Sequence, residues 1–176
     1  FGQAKSRGTM PLQLAGNVRH GGLVERAFGL TVRELLEDYG GGSATGRPIR
    51  AVQIGGPLGA YLPASQFDTP LEYEALSAIG AMLGHGGVVA FDDTVDMLGQ
   101  ARFAMEFCRI GSVRGAEALA NVARGVDRDA NLALVEELCD TMLQASLCGL
   151  GGMAPFPVLS AMKHFPEDFR PRAPGH

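Results

Sequence analysis

Three cysteines are the residues of this chain best suited to chemistry, and their spacing limits what they can do. Cys108 ends a helix-like run, "ARFAMEFC", and "RIGSVRG" follows at once. Cys139 and Cys148 are nine residues apart, so on one helix they would face opposite sides. Cys108 and Cys148, at the ends of neighbouring antiparallel helices, could converge. Structural zinc and iron–sulfur sites normally take four protein ligands, so two thiolates alone are too few.

The simplest interpretation of each cysteine is that it is a small buried hydrophobic residue. Other residue types give weaker evidence for a functional site. The histidines are isolated and are expected to be solvated at turns: His20, His85, His164 and His176. The glycine runs "GGPLGAYLP" and "LGHGGVV" resemble phosphate-binding loops only loosely, because neither shows G-x-G-x-x-G before a helix and no Walker lysine follows. Carboxylates such as Asp92, Asp93 and Asp96 are better explained as charges at a helix N-terminus than as an acid/base pair.

Composition narrows the class of protein. The 176 residues suit one domain or two small ones, and a hydrophobic content of 46% is enough for a core. A net charge of −4 without a basic stripe argues against nucleic acid as a partner. No apolar run approaches the length of a membrane span, and the N-terminus lacks the apolar core of a signal peptide. An odd, low cysteine count favours a reducing cytoplasm. The chain does not start with Met, which is compatible with a fragment.

The first half of the chain predicts a small α+β unit. Apolar alternation in "LQLAGNV" indicates a half-buried strand, and a second strand follows at about 23–27. Thr31 and Glu34 form a T-x-x-E capping box that begins a helix, which Gly40–Gly42 end. A third strand is expected at 49–54. Strand, strand, helix and strand suggest a β-grasp-like unit. A connector with a short helix from about Leu71 and a strand at 88–91 comes next.

The second half predicts four helices. Apolar residues recur at helical spacing over 94–108, 113–124 and 131–145, and a fourth helix is expected to start at Pro157 and to stop before Pro166. Short loops suit antiparallel neighbours, so the pattern is typical of a four-helix bundle. The expected organisation is therefore a β-grasp domain at 8–66, a connector at 67–92, a helical domain at 93–169 and a tail at 170–176.

Several motifs, in order, resemble a known family. They are "RGTMPLQLAGNVRHGGLVERAFGLTVRELLEDYGGG", "AVQIGGPLGAYLP", "LGHGGVVAFDDTVDM", "ARFAMEFC" and "LCDTMLQASLCGLGGMAPFPVLSAMKHFPEDF". Together they are similar to the C-terminal half of the NADH dehydrogenase flavoprotein (51 kDa-type) family. "RGTMPLQLAGN" and "KHFPEDF" favour the β (diaphorase) subunit of NAD-dependent molybdenum formate dehydrogenase. The resemblance implies an α+β fold, with a soluble-ligand-binding β-grasp (SLBB-like) domain followed by a four-helix iron–sulfur domain.

The resemblance also implies a [4Fe-4S] cluster in the helical domain. The family pattern E-S-C-G-K-C-x-P-C-R presents three thiolates from one loop, and L-C-x-L-G supplies a fourth. In this chain "MEFC" and "CRIGS" are fused at Cys108, and about a dozen residues are absent there. Cys108 corresponds either to a non-ligand cysteine that closes the preceding helix or to the third ligand, whereas Cys148 matches the fourth. The missing segment is either hidden by the consecutive numbering, which we favour, or truly deleted.

Further cofactors and partners follow from the resemblance alone. The family's FMN- and NAD-binding domain precedes the β-grasp unit and is absent from this chain, so no catalytic residue is expected here. Gly149, Leu150 and Gly151 are expected near FMN. Implied partners are a molybdenum-containing catalytic subunit and a small thioredoxin-like iron–sulfur subunit. The function implied is electron relay between FMN and iron–sulfur clusters. The alternatives are a non-redox module that docks partner subunits, or the same module in an NAD-reducing hydrogenase or complex I.

Overall fold

The computed structural model describes residues 1–3, 5–107 and 113–171. The chain divides into two compact units, Phe1–Val95 and Asp96–His176. None of the helices in the described ranges is both long enough and apolar enough to cross a membrane.

A five-stranded sheet forms the centre of the N-terminal unit, in the order β4-β3-β7-β5-β6. Strand β3 pairs antiparallel with β4 and parallel with β7, and β5 pairs antiparallel with both β6 and β7. A separate two-stranded hairpin precedes the sheet. The strands are β1 (Gly2–Gln3), β2 (Ser6–Arg7), β3 (Thr9–Gly16), β4 (Gly22–Ala27), β5 (Ile49–Ile54), β6 (Ala60–Pro63) and β7 (Gly87–Asp92).

Alternation along β3 confirms the strand that the sequence predicts. Leu12 and Leu14 are buried whereas Gln13 and Ala15 are exposed, because successive side chains of a strand point to opposite faces. Burial of such a leucine side chain stabilises the fold by about 2 kcal/mol. Strands β4 and β5 also confirm the predicted positions. The sequence analysis did not predict β1, β2 or β6, and it placed β7 in a connector although β7 lies in the middle of the sheet.

A helical segment after β4 packs into the core of this unit. The capping box is confirmed, since Thr31 Oγ1 accepts from the amide of Glu34 and the Glu34 carboxylate accepts from the amide of Thr31. Helix α1 (Val32–Glu34) continues as a π-helical turn, Leu35–Tyr39, that ends at Gly40. Val32, Leu35 and Leu36 pack into the core. A short helix, α2 (Tyr73–Ala78), follows where a helix was expected.

The glycine runs that loosely resemble phosphate loops serve backbone packing. A Cβ at Gly84 would lie 2.8 Å from the Cα of Gly55, and one at Gly56 would lie 2.6 Å from Nε2 of His85. Gly86 has φ +81°, and a Cβ there would lie 2.3 Å from the carbonyl oxygen of Pro11. These glycines let two turns approach each other and β3, which accounts for them without a ligand.

The carboxylate of Asp92 lies at the end of β7 and is fully buried. Its Oδ1 accepts from the amide and hydroxyl of Thr94, and its Oδ2 accepts from the hydroxyl of Thr45 at 2.8 Å. The amide of Asp92 donates to Oδ1 of Asn17. The hydrogen bonds from Thr94 and then Thr45 hold the pKa of this carboxyl below its usual value. Asp92 thus joins β7 to two loops, and the expectation that it is only a helix N-terminal charge is too simple.

The C-terminal unit is helical. Helix α3 packs against α4 and α7, α4 packs against α5, and α5 packs against α6 and α7. The helices are α3 (Met97–Phe107), α4 (Val113–Arg124), α5 (Arg128–Ala145), α6 (Gly149–Met153) and α7 (Pro155–His164), and a 3₁₀ turn, Pro166–Phe169, follows. Helix α4 has the predicted bounds, whereas α3 starts three residues later than predicted and α5 three residues earlier.

Two features of the last helices correct the sequence analysis. The short helix α6 was not predicted, and α7 begins at Pro155 rather than at Pro157. Pro155 and Pro157 both stand in the first turn of α7, where the backbone amide has no partner within the helix and proline is tolerated. The sequence pattern could not distinguish between the two prolines. The expected end before Pro166 is confirmed.

We expect Asp92→Asn to lower the thermal unfolding midpoint at neutral pH. The folded state depresses the pKa of Asp92, so its stabilising contribution is present above the unfolded pKa and is lost as pH falls through the folded pKa. The difference between wild type and variant should therefore shrink in acid. Thermal melts across an acid-to-neutral pH series check this. Asp93→Asn is the control, because its carboxylate is exposed and pairs with Arg47; an equal loss in the control would contradict the prediction.

Gly16→Ala is expected to destabilise more than Gly8→Ala. Both residues have φ +92°, which costs an alanine about 1–2 kcal/mol. A Cβ at Gly16 would also lie 2.1 Å from the carbonyl oxygen of Ala90 on β7, whereas one at Gly8 meets nothing within 4 Å. Denaturant unfolding should show the extra loss for Gly16→Ala, roughly 1–3 kcal/mol. Equal losses would mean that close approach of β7 does not require this glycine.

Candidate functional site

Cys148 stands at the start of a short helix rather than at the end of a long one. Helix α5 ends at Ala145, Ser146 is extended, and Cys148 is the N-cap of α6. Its Sγ accepts a hydrogen bond from the backbone amide of Gly151 at 3.5 Å. The residue is exposed. The thiol is therefore held in one turn of backbone and is open to a ligand from outside.

The glycines after Cys148 have different surroundings. A Cβ on Gly151 would lie 2.7 Å from Oγ of Ser146 and 3.7 Å from Sγ of Cys148, so a side chain at this position would require the Ser146 side chain to move. A Cβ on Gly152 would meet nothing within 4 Å. Gly151 therefore fits the turn that orients the thiol, while Gly152 leaves open space beside α6. The contact of Ser146 with Gly151 was not predicted, because nothing in the sequence "SLCGLGG" indicates that this serine lies against the turn.

Apolar side chains flank the thiol on the surface. Leu147 is fully exposed, and Leu143 and Leu150 are each 40% exposed. Three exposed leucines around one cysteine form an apolar surface of the kind that binding partners or cofactors often cover. Gly149, Leu150 and Gly151, which the resemblance places near FMN, all lie in α6.

Cys139 is excluded as a metal ligand by its position. It lies on α5 with no exposed surface. Burial, with a smaller contribution from Glu136, raises the pKa of its thiol to about 12. A thiol must lose its proton to bind iron or zinc, and burial of Cys139 opposes that loss. The interpretation of Cys139 as a small buried hydrophobe fits the structure.

Cys108 lies outside the described residues, so the convergence of Cys108 with Cys148 stays a prediction. The full sequence runs from Phe107 through Cys108 to Arg109 without interruption. The favoured explanation, a segment hidden by the numbering, is therefore wrong for this chain. Because Cys139 is buried, at most two of its three cysteines are open to a metal. No group of three or more His, Cys, Asp or Glu side chains arranged to hold a metal occurs among the described residues.

The described histidines add no ligand set. His20 and His85 are exposed, and the ring of each lies against a glycine, Gly41 and Gly56 respectively. His164 lies at the end of α7, where burial lowers its pKa. His176 is outside the described residues. The expectation of solvated histidines at turns is confirmed for His20 and His85, whereas His164 is half-buried on a helix.

Residues 106–172 match a family model described as the NADH-ubiquinone oxidoreductase-F iron–sulfur binding region. The match begins at Glu106, two residues before Cys108, and it contains Cys148 with its Gly-rich turn. It covers the helical unit from the last two residues of α3 onward and includes all of α4 to α7.

Curated relatives match nearly all of the chain. The NADP-reducing hydrogenase subunit HndC of Solidesulfovibrio fructosivorans is 36% identical over 96% of this chain and 37% of its own length. An NADH-quinone oxidoreductase subunit of Escherichia coli strain K12 is 31% identical over 95% of this chain and 40% of its own. This chain thus spans about two fifths of these relatives. The alignment with the HndC subunit spans 180 positions, and about 169 of the 176 residues of this chain take part in it. About eleven aligned positions of that relative (180 − 169) therefore have no counterpart in this chain.

A solved structure supports the same relationship. The crystal structure of an NAD⁺-reducing [NiFe]-hydrogenase in the air-oxidised state superposes with a TM-score of 0.83 and 26% identity, covering 96% of this chain and 30% of that one. The mixed fold, a five-stranded sheet followed by helices, is therefore shared with part of a hydrogenase. Over the part of these relatives that it spans, the chain is similar to the NADH dehydrogenase flavoprotein (51 kDa-type) family, and residues 106–172 match its iron–sulfur binding region.

Proposed function

We propose that the chain is the β-grasp and helical part of an NAD-linked electron-transfer (diaphorase) subunit, of the type found in soluble, cytoplasmic formate dehydrogenase. The observation that carries the proposal is the exposed thiol of Cys148, held by Gly151 within the matched iron–sulfur binding region. The names of the relatives, a hydrogenase subunit and a quinone oxidoreductase subunit, support NAD-linked electron transfer. Formate as the substrate rests on "RGTMPLQLAGN" and "KHFPEDF" alone.

In this proposal the N-terminal sheet and its covering helix form an SLBB-like β-grasp domain at 8–66. Helices α3, α4, α5 and α7 form the four-helix domain at 93–169, joined by the connector 67–92 and followed by the tail 170–176. The contact pattern of these four helices, in which each packs against two of the others, supports such a bundle.

The donor atoms fit an iron–sulfur cluster only in part. Cys148 fits, since its thiol is exposed and the open space beside Gly152 admits a bulky group. A [4Fe-4S] cluster takes four ligands, and this chain offers Cys148 and at most Cys108. The chain therefore does not complete the cluster with its own thiolates, and we derive no electron-transfer step through it. If iron binds, Cys148 holds it, and any ligands beyond Cys108 come from outside these 176 residues.

The remaining parts of the proposal come from the family. FMN and NAD bind in a domain that precedes the β-grasp unit, and Gly149, Leu150 and Gly151 of α6 lie near the flavin. A molybdenum-containing catalytic subunit would oxidise formate to carbon dioxide, and a small thioredoxin-like iron–sulfur subunit would be a second partner. The exposed leucines beside Cys148 support a covered surface at this place. The same module in an NAD-reducing hydrogenase or complex I fits these observations equally.

A non-redox docking module is the second candidate function. The specific observation in its favour is the incomplete set of thiolates, because a helical unit that cannot close a cluster can still present its surface to a partner. The two candidates differ in one measurable property, which is whether the chain binds iron through Cys148.

We expect anaerobic reconstitution with ferrous iron and sulfide to give the 176-residue chain iron bound at Cys148, in less than the four-iron amount of a complete cluster, because at most two of its thiols are open to a metal. Cys148→Ser should abolish most of that iron, because it removes the exposed thiolate. Iron content, absorption and EPR after reduction are the measurements. An iron-free wild-type protein after reconstitution would reject the electron-transfer proposal in favour of the docking module.

Cys139→Ala provides the matched control. It removes a cysteine of the same helical unit that is buried and stays protonated, so the iron content should not change. Circular dichroism should verify that both variants keep their helices. Equal iron in wild type and Cys148→Ser would show that the metal is held elsewhere or adventitiously.

A further inference from the structure

A groove runs along the surface of the helical unit between α5, α7 and the 3₁₀ turn. Its main cavity has a volume of about 570 Å³. Leu132 on α5, Leu159 and Met162 on α7, and Phe169 of the turn form an apolar floor. Phe169 is buried and the other three are half-buried, so the floor is open to solvent. We name this surface, with its extension described next, the α5–α7 groove.

A second cavity of about 300 Å³ adjoins the first and shares Arg128, Arg170 and Pro171 with it. Arg124 completes a set of three guanidinium groups at this end. Two carboxylates, those of Asp96 and Asp168, also line the cavity, so its three arginines and two carboxylates leave a formal charge of 3 − 2 = +1. Asp168 accepts from the amide of Met97, and Asp96 from the amide of Leu98.

Most N–H donors of these three guanidinium groups make no hydrogen bond to another described residue. Arg124 donates to the side-chain oxygen of Asn121, and Arg128 donates to the carbonyl of Phe169. No ion pair joins Arg124, Arg128 or Arg170 to a carboxylate among the residues that the structure describes. An arginine has five N–H donors in a planar fork that matches a carboxylate. This end of the groove therefore suits an anionic group.

The length and charge of the groove favour a peptide segment over a free anion. From Arg128 to Glu136 the groove follows α5 for about 12 Å, which is the length of about four extended residues. Asp129, Glu136 and Lys163 also line the cavity beside the apolar floor and leave a formal charge of 1 − 2 = −1 there, which disfavours a second anion. The occupant that fits both parts has acidic side chains at one end and apolar side chains next to them.

We propose that the α5–α7 groove docks an extended acidic–apolar segment of a partner protein, with its carboxylates on Arg124, Arg128 and Arg170 and its apolar side chains on Leu132, Leu159, Met162 and Phe169. Charged hydrogen bonds orient the segment, and burial of the apolar side chains stabilises it. The surface is separate in sequence from the Cys148 turn. The inference therefore holds whether or not the chain binds iron.

Three synthetic peptides test the proposal on the full 176-residue chain. The probe is acetyl-Asp-Asp-Leu-Leu-Phe-amide together with its reversed sequence, and the comparison peptide replaces each Asp by Asn. Titration followed by ¹⁵N–¹H NMR should shift amides of α5, α7 and the 3₁₀ turn for an acidic peptide. We expect the Asn peptide to bind at least about tenfold more weakly, because each carboxylate loses charged hydrogen bonds. Binding of the acidic peptide should also weaken as salt rises.

Arg170→Ala and Arg114→Ala are matched variants, because both arginines are exposed and each change removes one positive charge from the helical unit. Arg170→Ala should weaken the acidic peptide by about tenfold, while Arg114→Ala on α4 should leave its affinity unchanged. Four outcomes overturn the proposal: equal binding of the Asp and Asn peptides, equal effects of the two variants, no binding by either peptide direction, or the same amide shifts with inorganic phosphate alone. Self-association in sedimentation that Arg170→Ala abolishes would assign the groove to a second copy instead.

Discussion

Strand β7 is the constraint on which the N-terminal unit depends, because it pairs on both sides within the sheet. It lies parallel to β3 and antiparallel to β5, so it joins two hairpins that are distant in sequence. Gly16 lets the end of β3 approach the backbone of Ala90, where a side chain would collide. At the end of β7, the buried carboxylate of Asp92 accepts hydrogen bonds from Thr45 and Thr94. Loss of this arrangement would separate the hairpins and expose the core that α1 covers.

Burial divides the cysteines of the helical unit into different chemical roles. Cys139 lies on the face of α5 that packs into the helices, where its thiol stays protonated. Cys148 lies three residues beyond the end of α5, where the chain turns and its side chain reaches solvent. The hydrogen bond from Gly151 fixes the sulfur in that turn. The exposed sulfur of Cys148 is open to a metal that other ligands share, so the end of α5 decides which of these two cysteines is accessible.

The family resemblance favours an iron–sulfur site in this chain, whereas the thiolates that the chain provides are too few to complete one. Residues 106–172 match an iron–sulfur binding region, and the relatives that the chain resembles include a hydrogenase subunit and a quinone oxidoreductase subunit. The sequence at Cys108 nevertheless lacks the residues that would complete a cluster. Helices nevertheless form on either side of Cys108, α3 ending at Phe107 and α4 starting at Val113. Helices that bury their apolar faces against one another are stabilised by that packing and do not require a bound metal.

The sequence by itself determined the elements that local chemistry specifies. The alternation of Leu12 and Leu14 predicts β3, the Thr31–Glu34 pair begins α1, and helical spacing gives the bounds of α4. The order of motifs also identified the family. The tertiary structure alone placed β7 at the centre of the sheet, because strand pairing depends on distant partners and not on the strand's own residues. It separated Cys139 from Cys148, and it brought Arg124, Arg128 and Arg170 to one groove, because burial and surface shape arise only when helices pack.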